Sequence, residues 1–222
     1  MSTAQPAAVI LERLKDVYGE PVRHASGDPI TGLVGTILSQ STTDINSERA
    51  LATLRATFPG WQEVLDSPVG DVAAAIRAGG LADQKAATVK RALEAIAARS
   101  PDFDVEFMDD MSDADAMSFM TSMKGVGQKT AACVLMFDLE RDVLPVDTHV
   151  HRVSRRLGLT SQRANASRAQ HELEALIAPE DRYAAHVLMI QHGRKTCRAR
   201  SPACDACAVS DLCEYALENS GN

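Results

Sequence analysis

Aromatic residues are scarce in this sequence: they make up only 4% of its 222 residues, and there is a single Trp. Because β-sheets favour aromatic and β-branched side chains, this scarcity and the abundant alanine favour helices. No apolar run approaches the roughly 20 residues that a membrane span needs. The N-terminus has no basic segment ahead of its apolar residues, so no signal or transit peptide is predicted. Together these absences predict a helical protein of the reducing cytoplasm.

An excess of basic residues is also lacking, since the formal net charge is −7. The balance is uneven, however. Residues 121–200 hold 13 Lys and Arg against 8 Asp and Glu, whereas the rest of the chain holds 10 against 22. A basic segment within an acidic protein can still contact phosphates, because the local field acts at the contact. Solvated helix faces would give the same counts, so charge alone leaves the partner open.

Apolar residues recur at helical spacing in nearly every segment, and no alternating strand pattern exceeds four residues. Asp28-Pro29 is typical of an N-cap followed by proline at the first helical position, and it opens an apolar helix over 30–40. Gly79-Gly80 breaks the chain before a long helix over 83–98. We therefore predict an all-α fold.

Four of the five cysteines lie close together near the C-terminus, in the pattern Cys-x6-Cys-x2-Cys-x5-Cys. Four thiolates in so short a segment can bind one metal centre. A structural zinc site usually has two close pairs, whereas four irregularly spaced thiolates suit a compact iron–sulfur cluster. We expect a [4Fe–4S] cluster, with zinc, disulfides or free thiols as the alternatives. The four candidate ligands are Cys197, Cys204, Cys207 and Cys213.

Two apolar helices are joined by Lys124-Gly125-Val126-Gly127. Glycines permit a left-handed backbone and close approach, and the N-terminus of the following helix is a favourable place for a phosphate oxygen. An ordinary tight turn would have the same composition. Lys129 follows in the first helical turn among apolar neighbours. A partly desolvated lysine there is a candidate nucleophile that attacks a sugar carbon and forms a Schiff base, although a surface lysine is the more common case.

Asp147 stands eighteen residues after Lys129, ahead of another helix, and it is predicted to be the N-cap of that helix. Capping alone would account for it. If the fold brings Asp147 to face Lys129, a nucleophile and a carboxylate share one site. The carboxylate would then stabilise a cationic sugar transition state, as carboxylates do in glycoside hydrolysis.

Taken together, these segments resemble the endonuclease III branch of the helix-hairpin-helix DNA glycosylases. The matching segments are 125–131, 146–150, and His192-Gly193-Arg194 followed by the four-cysteine run and 211–215. The resemblance implies two all-α domains with a DNA cleft between them. One is a six-helix domain over 25–138 that ends in the hairpin. The other, an iron–sulfur domain, comprises 1–24 and 139–222.

The resemblance also implies roles for individual residues. Lys129 would be the Schiff-base nucleophile, Asp147 its activating carboxylate, and the backbone of Gly125, Val126 and Gly127 a phosphate-binding turn. The cluster would position DNA without a redox step. Lys124 stands where the family often has proline.

Two upstream segments fit the family less strictly. Residues 37–44 resemble the segment whose polar side chain fills the gap left by a flipped base. Many members have glutamine at the position of Ser41, whereas here it stands one place earlier, at Gln40. Leu81 resembles the leucine that wedges into the opposite strand. The alternative for Leu81 is a core leucine after a glycine break.

The predicted function is excision of oxidised pyrimidines from duplex DNA, followed by β-elimination at the abasic site. The partner would be double-stranded DNA with damaged pyrimidines or abasic sites. The protein would act as a monomer in the cytoplasm, on the nucleoid in a bacterium. The alternatives are a monofunctional glycosylase, a non-catalytic iron–sulfur DNA-binding module and an electron carrier.

Overall fold

The computed structural model describes residues 4–23 and 27–219, and the regular secondary structure of these residues is helical, with no β-strand. This confirms the all-α prediction. The α-helices of the described part are α1 (Ala4–Tyr18), α2 (Pro29–Ser39), α3 (Asp44–Thr57), α4 (Trp61–Asp66), α5 (Val69–Ala75), α6 (Ala82–Ala97), α7 (Asp113–Ser122), α8 (Gln128–Phe137), α9 (Thr148–Leu157), α10 (Ala166–Leu176), α11 (Arg182–Lys195) and α12 (Glu214–Asn219). Among these helices, none is long and apolar enough to cross a membrane.

The chain divides into two compact units. The first, here called the hairpin unit, is Ala25–Arg141. The second, here called the cysteine unit, is Met1–His24 with Asp142–Asn222. The division into a six-helix domain over 25–138 and an iron–sulfur domain of 1–24 with 139–222 stays a prediction.

The core of the hairpin unit is built on α2 and α8. Helix α2 begins as the sequence predicts, because both carboxylate oxygens of Asp28 accept hydrogen bonds from the first backbone N–H groups and Pro29 occupies the first turn. Its apolar residues are buried against α3, α6 and α8. Helix α8 is buried continuously from Thr130 to Met136, and this run includes Cys133, a small core residue. These two helices carry the loops described below.

The core of the cysteine unit forms where α11 packs against α9 and α1. Helix α9 presents Val150, Val153 and Leu157 to this core, and its last turn contacts α12. The four clustered cysteines follow α11 and pack at the edge of the same core. The start of α9 and the cysteine segment are therefore two parts of one packed body.

Candidate active site and DNA-binding loops

The turn between α7 and α8 requires glycine at one of its two glycine positions. Gly125 has a φ of +103°, in the left-handed region, and a Cβ there would lie 2.5 Å from Thr88 Oγ1. Gly127 differs, since its φ is −86° and a Cβ would meet no atom within 4 Å. The side chain of Val126 is buried. Between Gly125 and Gly127 only the backbone is therefore available to a ligand, and the space above Gly127 is open.

Side chains from two other segments hold this turn in place. Gln40 Nε2 donates to Gly125 O at 3.4 Å and to Thr130 Oγ1 at 3.1 Å. Arg91, on α6, donates from Nε to Lys124 O at 3.1 Å and from Nη2 to Thr88 Oγ1 at 3.1 Å. The amide of Gln40 thus joins the hairpin turn to the first turn of α8, and the guanidinium of Arg91 binds the backbone of Lys124.

Lys129 is the second residue of α8, and its side chain is exposed. Among the described residues its amine has no hydrogen bond and no ion pair. The expectation of partial desolvation is wrong for this structure, because the buried face of α8 starts at Thr130 and Lys129 points away from it. The amine is instead accessible to a substrate.

Asp147 is the N-cap of α9, as predicted. Its Oδ1 accepts hydrogen bonds from the backbone N–H groups of His149 and Val150, both at 2.8 Å. No other hydrogen bond to this carboxylate occurs within the described parts of the chain. One oxygen therefore fixes the carboxylate to the helix end, where the dipole favours the anion, and Oδ2 is left for another group.

Ser41 and Leu81 line one open groove of the hairpin unit, of about 600 Å³, together with Lys124 and Gly125. Both have left-handed backbones, with φ of +53° for Ser41 and +48° for Leu81. Leu81 is 56% exposed, so its interpretation as a core leucine is wrong. Gln40 borders the groove too, but its amide group is turned to the hairpin.

The four clustered cysteines line a single cavity with His192 and Arg156, and none of them forms a disulfide. Burial raises the pKa of the Cys207 and Cys213 thiols, and the neighbouring cysteines raise it further. A cationic metal centre would counter this effect by stabilising the thiolates. No group of three or more His, Cys, Asp or Glu side chains in the described stretches is placed to bind a single metal ion.

Hydrogen-bonding groups surround these thiols. Arg156 Nη1 lies 3.4 Å from Cys197 Sγ, and His192 Nε2 lies 3.8 Å from Cys207 Sγ. The other ring nitrogen of His192 contacts Tyr18 OH at 3.0 Å, and burial lowers the pKa of His192 to about 4. The donor set of thiols, guanidinium and imidazole suits an anionic metal–sulfur centre.

Two arginines of α9 have a structural role that the sequence analysis did not foresee. Arg152 donates to Cys197 O at 3.1 Å and to Gly193 O at 2.9 Å. Arg156 donates to the carbonyls of Arg198 and Ala199, and its guanidinium lies 4.6 Å from the ring centroid of Tyr215. These side chains bind α9 to the segment that carries the cysteines.

Lys85, which no sequence prediction included, is buried on α6 and bonded to two backbone carbonyls. No local pattern could have identified it, since lysine is almost never fully buried. Arg91 was overlooked for a similar reason, because its acceptor Lys124 O lies 33 residues away along the chain.

Comparison with known proteins places these features in one family. The model of the HhH-GPD superfamily of base excision DNA repair proteins matches residues 34–179. Endonuclease III of Sulfolobus acidocaldarius is 33% identical over 192 residues, covering 86% of this chain and 83% of that protein. A putative DNA glycosylase of Arabidopsis thaliana is 37% identical over 165 residues, which are 74% of this chain but 56% of that protein.

A solved structure has the same fold. The trapped covalent intermediate of endonuclease III with DNA, in its estranged-adenine complex, superposes with a TM-score of 0.82 at 24% identity. The match covers 99% of this chain and 100% of the other.

Proposed function

This chain belongs to the endonuclease III branch of the HhH-GPD superfamily and is a base excision repair DNA glycosylase, and from that premise we propose that it excises oxidised pyrimidines from duplex DNA and then cleaves the abasic site. The observation that carries the proposal is the exposed amine of Lys129 at the start of α8, which has no hydrogen-bond or ion-pair partner among the described residues. A monofunctional glycosylase, which activates water, has no need of such an amine.

In the proposed reaction Lys129 Nζ attacks C1′ of the damaged nucleotide, and the base leaves as the N–C bond forms. Loss of a proton from nitrogen and opening of the sugar ring give a Schiff base. The Schiff base then acidifies C2′, and loss of its proton expels the 3′ phosphate by β-elimination. Hydrolysis releases the lysine. The reaction needs no oxidant or reductant.

Asp147 is proposed to assist the first step. A carboxylate stabilises the cationic character that a sugar acquires as its glycosidic bond breaks. Because Oδ1 is held by two backbone N–H groups, the charged group is oriented before substrate binds. Its free oxygen, Oδ2, would interact with the substrate.

DNA recognition is proposed to involve the hairpin backbone and the two left-handed loop residues. The turn Gly125–Gly127 and the N-terminus of α8 would bind one phosphate, for which the open space above Gly127 leaves room. Ser41, which is exposed in the groove, would occupy the gap left by the flipped base, and Leu81 would wedge into the opposite strand. Gln40 would act indirectly, by holding the hairpin.

Cys197, Cys204, Cys207 and Cys213 are proposed to hold a [4Fe–4S] cluster. Their shared cavity and the donors beside their sulfur atoms support this assignment. When bound, such a cluster would rigidify the segment after α11 and supply positive charge to the thiolates. Its role here is structural, and excision requires no electron transfer. A brown protein with a broad visible absorption band in the blue would identify iron, and a colourless zinc-loaded protein would overturn the assignment.

Borohydride trapping tests the proposed activity, using three matched duplexes: one with thymine glycol, one with an abasic site and one undamaged. We expect a covalent protein–DNA adduct with both damaged duplexes and none with the third. An adduct with the abasic duplex alone would support lyase activity but refute excision of thymine glycol. Absence of any adduct, with the protein folded and its cofactor bound, would refute the bifunctional proposal in favour of a monofunctional enzyme or a binding module.

A further inference from the structure

Lys85 is the only lysine among the described residues that is fully buried, with 3% of its surface exposed. Its Nζ donates to Leu38 O and to Gly79 O, both at 2.7 Å. No carboxylate in the described part of the chain pairs with it, and burial lowers its pKa. A buried ammonium without a counter-ion is costly, so its two carbonyl acceptors compensate for lost hydration.

The two acceptors occupy equivalent places in the fold. Leu38 lies in the last turn of α2, and Gly79 ends the short 3-10 helix Arg77–Gly79. Carbonyls at such helix ends lack partners within the helix and carry the negative end of its dipole. The ammonium of Lys85 therefore caps two helix ends at once.

Each capped helix end leads directly into a loop of the groove. Residues 40–43, here the Ser41 loop, follow α2, and residues 80–81, here the Leu81 loop, follow the 3-10 helix. Both loops carry a non-glycine residue in the left-handed region. Such a backbone is strained and persists only where its surroundings fix it. Lys85 is the side chain that bonds to the backbone at the start of both loops.

We propose that Lys85 is a positioning residue that fixes the Ser41 loop and the Leu81 loop at one spacing, so that both enter a DNA duplex together at a single flipped base. This rests on the proposed entry of these loops into DNA. A flipped base leaves its gap and its unpaired partner in the same base-pair layer. The two loops must therefore act at matched depth, and one ammonium bonded to both of the helix ends that lead into them can hold them there.

A direct contact of Lys85 with phosphate is the competing role, and the geometry opposes it. Its amine is buried and two of its hydrogens are engaged, whereas Lys124, in the same groove, is exposed. The two roles differ in salt dependence. Removing a phosphate contact lowers the slope of log affinity against log salt by about 1, whereas removing a positioning contact leaves it unchanged.

The same helix supplies a matched control. Lys90, also on α6, donates from Nζ to Leu65 O and Ser67 O at the end of α4. It therefore bridges backbone carbonyls as Lys85 does, but it does not line the groove. Lys85→Met and Lys90→Met make the same chemical change, and only the first would disturb the two loops.

The experiment measures opening of a duplex that cannot be cleaved. The full-length protein with its cofactor is added to a duplex with a tetrahydrofuran abasic analogue and 2-aminopurine opposite it, whose fluorescence rises on unstacking. We expect the wild type and Lys90→Met to raise the fluorescence and Lys85→Met to lose most of the rise. Affinity of Lys85→Met for undamaged duplex should stay within about twofold, with the same salt slope, because the phosphate contacts remain. Its single-turnover excision should fall about tenfold or more, since small misplacements are costly at this step.

Three results would overturn the proposal. The first is full 2-aminopurine fluorescence with folded Lys85→Met. The second is an equal loss in Lys90→Met, which would mean general destabilisation. The third is a wild type that does not open the duplex, which would show that the loops do not enter DNA. Because the analogue needs neither base removal nor a Schiff base, failure of the proposed chemistry would leave this result intact.

A second variant guards against failure of Lys85→Met to fold. Lys85→Gln keeps an NH2 donor on a shorter side chain that cannot reach both carbonyls equally well. We expect a folded protein with reduced duplex opening, whereas wild-type opening by Lys85→Gln would overturn the proposal. Lys85→Arg retains donors with longer reach and is expected to recover part of the fluorescence.

Discussion

Helices α8 and α9 begin in opposite ways, and each beginning carries one of the two candidate catalytic groups. The N-cap of α8 is Gly127, which has no side chain to cap it, and the second residue of the helix is the exposed Lys129. The N-cap of α9 is Asp147, whose carboxylate accepts hydrogen bonds from two backbone N–H groups. An uncapped N-terminus keeps its donors for an external anion, whereas a capped one fixes the capping carboxylate in a single orientation. One helix end is therefore suited to binding and the other to orienting a charge.

The largest effect is expected from removal of the amine at α8. Lys129→Ala should lower lyase activity by at least about 10³-fold, as loss of a nucleophile does, and should abolish the borohydride adduct. Affinity for duplex DNA should persist, because the hairpin backbone is unchanged. The free energy of unfolding should change by less than about 0.5 kcal/mol, since the side chain is exposed.

Lys124→Ala is the control for this variant, because it removes another exposed lysine five residues earlier. It should retain the adduct. A borohydride-stable adduct formed by Lys129→Ala would show that another residue is the nucleophile. The start of α8 would then carry no catalytic group.

The next effect separates the charge of Asp147 from its capping role. Asn is as good a helix N-cap as Asp, so Asp147→Asn should keep the hydrogen bonds from His149 N and Val150 N. Its free energy of unfolding should lie within about 0.5 kcal/mol of the wild-type value. Its single-turnover excision should fall by about 10²–10³-fold, because the developing cation loses its counter-charge. Thermal unfolding and quenched-flow assays measure the two quantities.

Asp147→Ala completes this comparison, since it removes the cap and the charge together. It should lose excision to the same extent and also about 1 kcal/mol of stability. Unchanged turnover in Asp147→Asn would leave Asp147 with a capping role alone.

The two glycines of the hairpin turn sharpen the comparison at α8. Gly125→Ala should destabilise the protein by about 1–3 kcal/mol, because its backbone is left-handed and a Cβ would approach Thr88 Oγ1. Gly127→Ala should keep or raise stability by up to about 1 kcal/mol, since its φ is permitted and the space is open. Binding should show the difference: Gly127→Ala is expected to weaken affinity for duplex by about 1 kcal/mol if a phosphate occupies that space. If Gly127→Ala instead binds duplex as tightly as the wild type throughout a salt titration, no phosphate is bound at this turn.

Local patterns in the sequence were sufficient for the caps and the turn. Asp28 and Asp147 each accept hydrogen bonds from backbone N–H groups two and three positions along the chain. The left-handed backbone of Gly125 belongs to its own turn, although the atom that a Cβ would meet there is on distant Thr88. A helix end or a tight turn is a local problem in hydrogen bonding, so local sequence determines it. The spacing of the four cysteines likewise pointed to one site, and all four line one cavity.

The remainder depends on contacts between distant segments. Lys85 meets Leu38 O across 47 residues, and Arg156 meets the carbonyls of the cysteine segment across more than 40. Backbone carbonyls have no sequence signature, so no pattern shows which of them a cation will find. Leu81 was ambiguous for another reason, since a leucine after a glycine break is usually apolar core and its left-handed backbone is set by its neighbours.

The smallest effect is expected at the two polar residues that follow α2. Gln40→Ala removes the donor to Gly125 O and to the buried Thr130 Oγ1, and should lower stability by about 1 kcal/mol. Because it loosens the turn next to Lys129, it should slow reaction on thymine glycol and on a preformed abasic site to a similar extent.

Ser41→Ala removes an exposed hydroxyl and should leave stability unchanged. It should slow only the thymine glycol reaction, in which a base must be kept out of the stack. Single-turnover rates measured in parallel on the two substrates distinguish the two roles. If Gln40→Ala slows only the thymine glycol reaction, Gln40 fills the gap left by the flipped base and its contact with the hairpin is secondary.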